Sequence, residues 1–600
     1  MLARRQRVAC ITYTEVAANE IREEVASDKL VHVSTIHSFY WTVASTFQAD
    51  IKLWLQRELQ ARIDELVNKT YGSKVHQKTK DKDKRDQLRY AKHLDVVSKV
   101  RSFRYGVASD YAEGVLGHED ILKLANYLFE HKALFRKVVA LNFPFVFVDE
   151  SQDTFPEVVN SLREVEAQMR GRFCLGFFGD PMQKIYPRGT GQITLGPDWK
   201  EITKPENFRC AQSILRVANA VRMQGDRLQQ VRGLHELAEE GPRPVEGSAR
   251  IFVLPNNGDR QAALKQIRQW SAGADSDHDW AQTTAADGRD AAVKILVIVH
   301  RIAAKQLGWE GIYSALNDKA PTSFKQGLLD GTCWPVRQLL GFIVPLVRAM
   351  DEGDEFKTMN ILRLHCPRLR QPGGSGQSVA AVLKGVREAT LALQAMAHDP
   401  AASLADLVEH VHRERLLVLD ERMDRALQLH LSEEASAETA GSAPVGVSDS
   451  DDEDGGSAAR EAADASVERL LQCPAAELLP YALYVAEGSP FATQHGVKGA
   501  QFDRVIVVMD EEQSDYRLYN YEQVLSEKQA TAEDRRAFET GEDNTWSRTL
   551  RLLYVCCTRA KRGLALAFFV ANPEATAAHI IASGIFPKNA VITKSLLEIA

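Results

Sequence analysis

Cysteine is scarce in this chain: eight residues in 600, with no Cys-x-x-Cys anywhere. That excludes a disulfide framework and a zinc ribbon and points to a reducing compartment. Long apolar runs are missing too. None approaches the roughly 20 residues a membrane span requires. The basic start Met1-Leu2-Ala3-Arg4-Arg5-Gln6-Arg7 is not followed by the long apolar core and cleavage site of a signal peptide, so a cytoplasmic location is expected, or a nuclear one in a eukaryote. There is no excess of positive charge: 74 basic residues face 81 acidic ones, a formal net charge of −7. Any nucleic-acid surface must therefore be a local groove. No repeat recurs at a fixed period. Nor does any Gly-Lys dipeptide occur, so a phosphate loop ending in Gly-Lys-Ser/Thr is not encoded in these residues.

What is present is a globular composition, 44% hydrophobic, at a length that suggests about four domains. The chain is organised around Phe143 to Thr154, where an apolar run, Phe-Pro-Phe-Val-Phe-Val, ends abruptly in Asp149-Glu150-Ser151-Gln152-Asp153. The run predicts a strand of a parallel sheet, buried on both faces. Ligands of such sheets bind just beyond the carboxyl ends of the strands, which is where Asp149 and Glu150 fall. Nucleotide hydrolysis uses such a pair, one carboxylate for Mg²⁺ and a neighbour for the attacking water. Taken alone, the pair fits an acidic turn equally well.

Before this stretch, Arg7 to Thr14 and Val31 to Thr35 read as strands, with helix signals at Ala17, Ala18, Ile21 and Val25 between them: a βαβ start. Residues 41–132 read as helical. Within them, Lys74 to Arg104 carries eleven Lys and Arg against four Asp, which fits either a solvated helix face or contact with a phosphate backbone. Phe173 to Phe178 is a further strand, followed by Gly179-Asp180-Pro181-Met182-Gln183-Lys184-Ile185-Tyr186. A helix is expected to open at Asn207-Phe208-Arg209. Ala249 to Leu254 and Val293 to Val299 start a second α/β unit, which resumes at Arg504 to Met509 and Leu564 to Val570 after a helical insertion. Glu433 to Ala465, with its acidic core Asp449 to Asp454, reads as a disordered loop of that insertion, most simply without a role. The adjacent Cys556 and Cys557 read as core residues.

Taken in order, seven blocks resemble the motifs of the UvrD/Rep group of superfamily 1 DNA helicases. Thr12-Tyr13-Thr14 with Ala17-Ala18 resembles motif Ia, and Ser34-Thr35-Ile36-His37-Ser38-Phe39 resembles motif Ib. Asp149 to Asp153 resembles motif II, Gly179-Asp180 with Gln183 and Ile185-Tyr186 motif III, and Asn207-Phe208-Arg209 motif IV. Thr493 to Asp503 resembles motif V, and Leu553 to Lys561 motif VI. A lone Asp-Glu is a weak signal; seven blocks in order are a strong one.

The resemblance implies an α/β fold of two RecA-like lobes with helical insertions, using ATP and Mg²⁺ to move 3′ to 5′ on single-stranded or partly duplex DNA, with no membrane partner and any loading protein left open. It implies Asp149 as the Mg²⁺ ligand, Glu150 as the group acting on water, Gln183 as the γ-phosphate sensor, and Arg209 and Arg559 as the phosphate-facing cations. Arginine suits that role because it stays charged and is bidentate. It also implies Phe208 stacked on adenine, nucleotide contacts for Gln152, Gly499 and Gln501, and DNA contacts for Thr12, Thr35, His37, Tyr186, Thr493, His495 and Lys498. Hydroxyls and imidazoles of this kind bond phosphates without reading sequence.

The lobes are expected at 1–40 with 133–200 and at 201–333 with 485–600, the insertions at 41–132 and 334–484, the latter holding the acidic loop at about 433–465. Three departures stand out. The phosphate loop that should precede motif Ia is missing, and the expectation is a truncated chain or a start placed too late, either of which impairs ATP turnover. Pro187-Arg188-Gly189 follows Ile185-Tyr186 where many relatives carry a base-stacking Trp, and Gln501 stands where Glu is usual. No nuclease-like carboxylate–lysine cluster follows motif VI. The alternative to a helicase is a non-catalytic DNA-binding or regulatory subunit, against which Glu150, Gln183, Arg209 and Arg559 argue; RNA as the substrate stays open.

Overall fold

The computed structural model describes residues 6–26, 28–69, 77–106, 109–186, 189–239, 241–282, 292–370, 378–439, 456–486, 489–510, 518–526 and 530–597. Lys74, Pro187, Arg188 and the acidic run Asp449 to Asp454 lie outside them. The protein is a mixed α/β structure that divides into two compact units. The first comprises residues 1–205, 221–229 and 530–555; the second comprises 206–220, 230–529 and 556–600.

The first unit is built on a four-stranded parallel sheet. Its strands are β1 (Val8–Thr12), β2 (Val31–Thr35), β3 (Phe145–Val148) and β4 (Cys174–Phe177), in the order β2-β1-β3-β4. Helix α1 (Glu15–Glu24) makes the first crossover. Thr14 caps it, its hydroxyl accepting from the Ala17 amide. Helix α2 (Ile36–Ala44) follows β2 without a loop and buries Ile36, Phe39, Tyr40 and Val43. Helices α3 (Gln48–Val67), α4 (Gln77–Lys99), α5 (His118–His131) and α6 (Ala133–Asn142) fill the stretch before β3. Leu55, Leu59, Ile121, Leu124, Leu128 and Phe129 join the same core as Val146 and Val148. Helix α7 (Pro156–Gln168) starts with Pro at its first turn, where a missing N–H costs nothing.

Strand β3 is where the two-faced burial expected from sequence holds only in part. Val146 and Val148 are fully buried, whereas Phe145 and Phe147 on the other face are half-buried. The reason lies beside them. Strand β4 pairs, among the described residues, on its β3 side only, and Cys174 and Phe178 are exposed.

The second unit carries a six-stranded parallel sheet of β5 (Ser248–Pro255), β6 (Lys294–Val297), β7 (Phe491–Thr493), β8 (Phe502–Asp510), β9 (Ala560–Val570) and β10 (Val591–Thr593), ordered β7-β6-β8-β9-β5-β10. Its central strands are continuous apolar runs, and Val505 to Asp510 and Leu564 to Val570 are buried throughout, as expected for strands covered on both faces. The chain between β6 and β7 is helical. Two elements differ from the sequence reading. Asn207 lies in a two-residue strand, and helix α8 (Gln212–Gln224) begins only after Ala211. The stretch read as a loop at 433–465 is helical at both ends, in α9 (Glu421–Thr439) and α10 (Gly456–Leu471). Alanine-rich sequence explains this, since alanine is the strongest helix former.

The C-terminal part also departs from the reading that keeps 485–600 in one lobe. Residues 530–555 pack in the first unit, including α11 (Ala532–Thr540) and most of α12 (Thr545–Cys557). Lys184, nearly buried, forms an ion pair with Asp543 at 2.7 Å, and Arg551 bonds the same carboxylate. Burial raises the pKa of Asp543, but the bonds from Lys184 and Arg551 outweigh it and hold the carboxyl below its usual range.

Candidate nucleotide and nucleic-acid site

The acids of the first unit sit where the strand pattern puts them. Asp149 continues β3, its amide bonded to the Ile11 carbonyl of β1 at 2.7 Å, and it remains half-buried at the carboxyl edge of the sheet. Glu150 then turns the chain sharply, with φ 51° and ψ 40°. A non-glycine residue in this left-handed region costs on the order of 1–3 kcal/mol, and such strain concentrates at functional positions. The turn carries Ser151, Gln152 and Asp153 inward, where all three are buried.

Gln152 holds this turn to the next loop. Its side-chain N–H donates to the Glu150 carboxylate at 2.5 Å, and its side-chain oxygen accepts from the Asp180 amide at 3.2 Å. The Ser151 amide donates to the Phe178 carbonyl at 2.9 Å. The close approach demands glycine at two positions. A Cβ on Gly179 would lie 2.3 Å from the Gln152 side-chain oxygen, and one on Gly189 would lie 2.4 Å from the Gln152 carbonyl. Asp180 caps the short turn Pro181–Gln183 by accepting from the Met182 amide, and Gln183 donates to the Asp180 carboxylate at 3.2 Å. Glu150, Gln152, Asp180 and Gln183 thus form one bonded chain.

Sequence reasoning missed what stands behind Asp180. Arg222, 1% exposed, donates to both Asp180 oxygens at 2.7 and 3.1 Å, pairs with Asp226, and donates to the Tyr554 hydroxyl at 2.9 Å. Only the four-residue spacing of Arg222 and Asp226, at the C-terminal end of α8, hinted at a pair.

The positions assigned to DNA in the first unit are dispersed around these loops. Thr12 has no exposed surface, so its hydroxyl offers nothing to a strand in this conformation. Thr35 ends β2, with its hydroxyl donating to Ser38. His37 packs against His118 at 4.9 Å between ring centroids. Burial, with His118 adding to it, lowers its pKa to about 4, so it is neutral near pH 7. Tyr186 lies 5.2 Å from the Tyr13 ring, and burial, then Tyr13 and Glu150, pushes its hydroxyl pKa up.

The second unit gathers the remaining candidates. The Arg209 amide donates to the Asn207 side chain, and the Ala211 amide to the Lys561 carbonyl at 2.8 Å, which joins the Asn207 and Leu553–Lys561 blocks. Arg209 and Arg559 both lie close enough to Cys210 to favour its thiolate, although burial dominates and raises the thiol's pKa. Arg559 is 1% exposed and donates to the Ala500 carbonyl at 3.2 Å. Phe208 is 64% exposed, with the Arg232 guanidinium 5.0 Å from its ring centroid. An exposed aromatic ring can stack on a planar group or a cation. Gly499 has φ 86°, a backbone conformation that favours glycine, and Gln501 is exposed. Thr493 ends β7 and accepts from the Gly496 amide at 3.0 Å. His495 bonds the Tyr519 hydroxyl at 2.7 Å, and Lys498 is nearly buried. Gln494, also missed, is buried beneath this loop and bonds the Val508 carbonyl and the Tyr521 hydroxyl.

Among the described residues no cluster of three or more His, Cys, Asp or Glu could hold a metal ion. One half-buried carboxylate at a sheet edge fits Mg²⁺, which keeps water and takes phosphate oxygens, better than an ion that needs a full protein cage. No helix of the described residues is long and apolar enough to cross a membrane.

The Gabija protein GajB of Bacillus cereus (strain HuB5-5) is 20% identical over 381 residues, 52% of this chain and 52% of that protein. The matched part thus spans about half the length of that relative. Residues 2–194 match the UvrD/REP helicase N-terminal domain, a span that holds β1 to β4 and both acidic loops. That match to the UvrD/REP helicase N-terminal domain covers about a third of the chain.

Proposed function

We propose that this protein is an ATP-dependent DNA translocase or helicase, working 3′ to 5′ on single-stranded DNA. The observation that carries the reading is Glu150, held in a strained backbone conformation one residue past the Mg²⁺ candidate Asp149 and bonded through Gln152 to the Gln183 loop. Such an arrangement fixes a carboxylate to orient and deprotonate water, while Gln183 registers the phosphate that is lost. Mg²⁺, when bound, would neutralise phosphate oxygens, and Asp149 would hold it. The roles of Arg209 and Arg559 as phosphate-facing cations, and of Phe208 as an adenine platform, rest on the resemblance.

Tight ATP use also needs a phosphate-cradling loop, and no Gly-Lys dipeptide is encoded in these residues. The missing dipeptide is also the one observation that favours the second reading, a DNA-binding subunit without turnover.

The test is single-stranded-DNA-stimulated ATP hydrolysis by this chain, beside a version extended upstream to include a phosphate loop, with Glu150→Gln as control. Turnover that Glu150→Gln abolishes supports the helicase reading. DNA binding with no turnover in either version selects the subunit reading.

A further inference from the structure

The buried cluster behind the Asp180 loop has no part in the roles assigned so far. A guanidinium with 1% exposure is tolerable only when fully paired. Arg222 meets Asp180, Asp226 and Tyr554 at once, and its guanidinium lies 4.9 Å from the Tyr554 ring centroid. The Tyr554 hydroxyl also donates to Asp180 at 3.1 Å. One Asp180 carboxylate oxygen, Oδ2, therefore receives Arg222, Tyr554 and the Gln183 side-chain amide together, and Oδ1 receives Arg222 and the Met182 amide. Its backbone amide is tied to Gln152, and Gln152 to Glu150. All of these residues belong to the first unit, although Tyr554 lies 374 positions further along the chain than Asp180.

We propose that Arg222 is a positioning residue for the water-activating and phosphate-sensing groups: by clamping Asp180, with Tyr554 in support, it sets the orientation of Gln183 directly and of Glu150 through Gln152. The proposal rests on the ATP-hydrolysing reading for its consequence, but its geometry can be tested without turnover. Arginine is needed because its planar fork spans both Asp180 oxygens while reaching Asp226 and Tyr554; lysine keeps the charge and loses the fork. Arg222 and Tyr554 also lie on the helices that adjoin Arg209 and Arg559 in sequence.

Hydrogen exchange read by mass spectrometry on the whole chain tests this. In Arg222→Gln, amides of 149–154 and 179–186 should exchange about tenfold faster or more, while the 502–510 and 560–570 strands keep their protection. Arg222→Lys should fall between, and Tyr554→Phe, which removes one hydroxyl and folds more safely, should shift the same two segments in the same direction. Unchanged exchange there, or an equal acceleration everywhere, overturns the proposal. The second readout is ATP turnover of the same variants. Arg222→Lys should lower kcat about 10- to 100-fold with KM for ATP within twofold, since misplacement by an ångström costs rate more than binding. A matching rise in KM would count against it. If the wild-type chain shows no turnover, the ATP reading fails separately and exchange alone decides the positioning role.

Discussion

The two parallel sheets of this protein are built to opposite standards. In the second unit, β8 and β9 run for nine and eleven residues and are buried along most of their length. In the first, β3 and β4 are four residues each, one face of β3 is half-buried, and β4 pairs on one side only among the described residues. Yet the strained glutamate, the interlocked glycines and the bonded polar chain stand on the smaller sheet. Apolar burial, at about 25 cal/mol per Å², stabilises the larger sheet. The loops of the smaller one are held by hydrogen bonds and by close backbone approach. A site can thus be densely bonded where the strands beneath it are short.

The comparison breaks most severely if the chemistry does not follow the loops. Arg559→Ala should lower single-stranded-DNA-stimulated ATP turnover about a thousandfold, with little change in the exchange of 149–154. An unaltered rate would remove Arg559 from hydrolysis. Next in size is packing. Ile506→Ala in the buried β8 should cost about 2–5 kcal/mol of unfolding free energy, whereas Leu175→Ala on the half-buried β4 should cost about 1 kcal/mol. Urea unfolding of the two variants decides, and equal losses would show that the smaller sheet is as well covered as the larger.

Strain gives a smaller and opposite effect. Glu150→Gly should relieve the left-handed backbone and raise stability by up to about 1 kcal/mol while ending hydrolysis. A lower melting temperature would mean that the Gln152 bond to Glu150 outweighs the strain.

Both units should also be sensitive to acid. His37 in the first and His300 in the second have pKa values lowered from 6.5 to about 4, mainly by burial and then by a neighbouring histidine. The unfolded chain takes up these protons first as pH falls, so stability should drop between pH 6.5 and about 4 and stay level above that window. His37→Gln should flatten its share of the slope in urea titrations across that range, and an unchanged slope would place His37 in water.

Much of this was readable in order along the chain. The apolar run into Asp149-Glu150 announced a strand with acids at its carboxyl end, and β1, β2, β8 and β9 lie where alternation and apolar content put them. Cys556 and Cys557 are buried, as read. The half-buried Phe face of β3 was not legible, because burial of a strand depends on whether a neighbour covers it. Thr12 carries the hydroxyl expected of a phosphate contact, but the packing at the end of β1 covers it.

By itself, the sequence determined what is local and covalent: the strand pattern, the order of the seven blocks, the acid pair, and the lack of a Gly-Lys loop. Only the tertiary structure decided that 530–555 leaves the C-terminal sheet to pack in the first unit, that Lys184 meets Asp543, and that Arg222 and Tyr554 close on Asp180. Charged side chains far apart in sequence carry no periodic signal of their partners. Their pairing is selected when burial makes an unpaired charge too costly, and that selection exists only once the chain has folded.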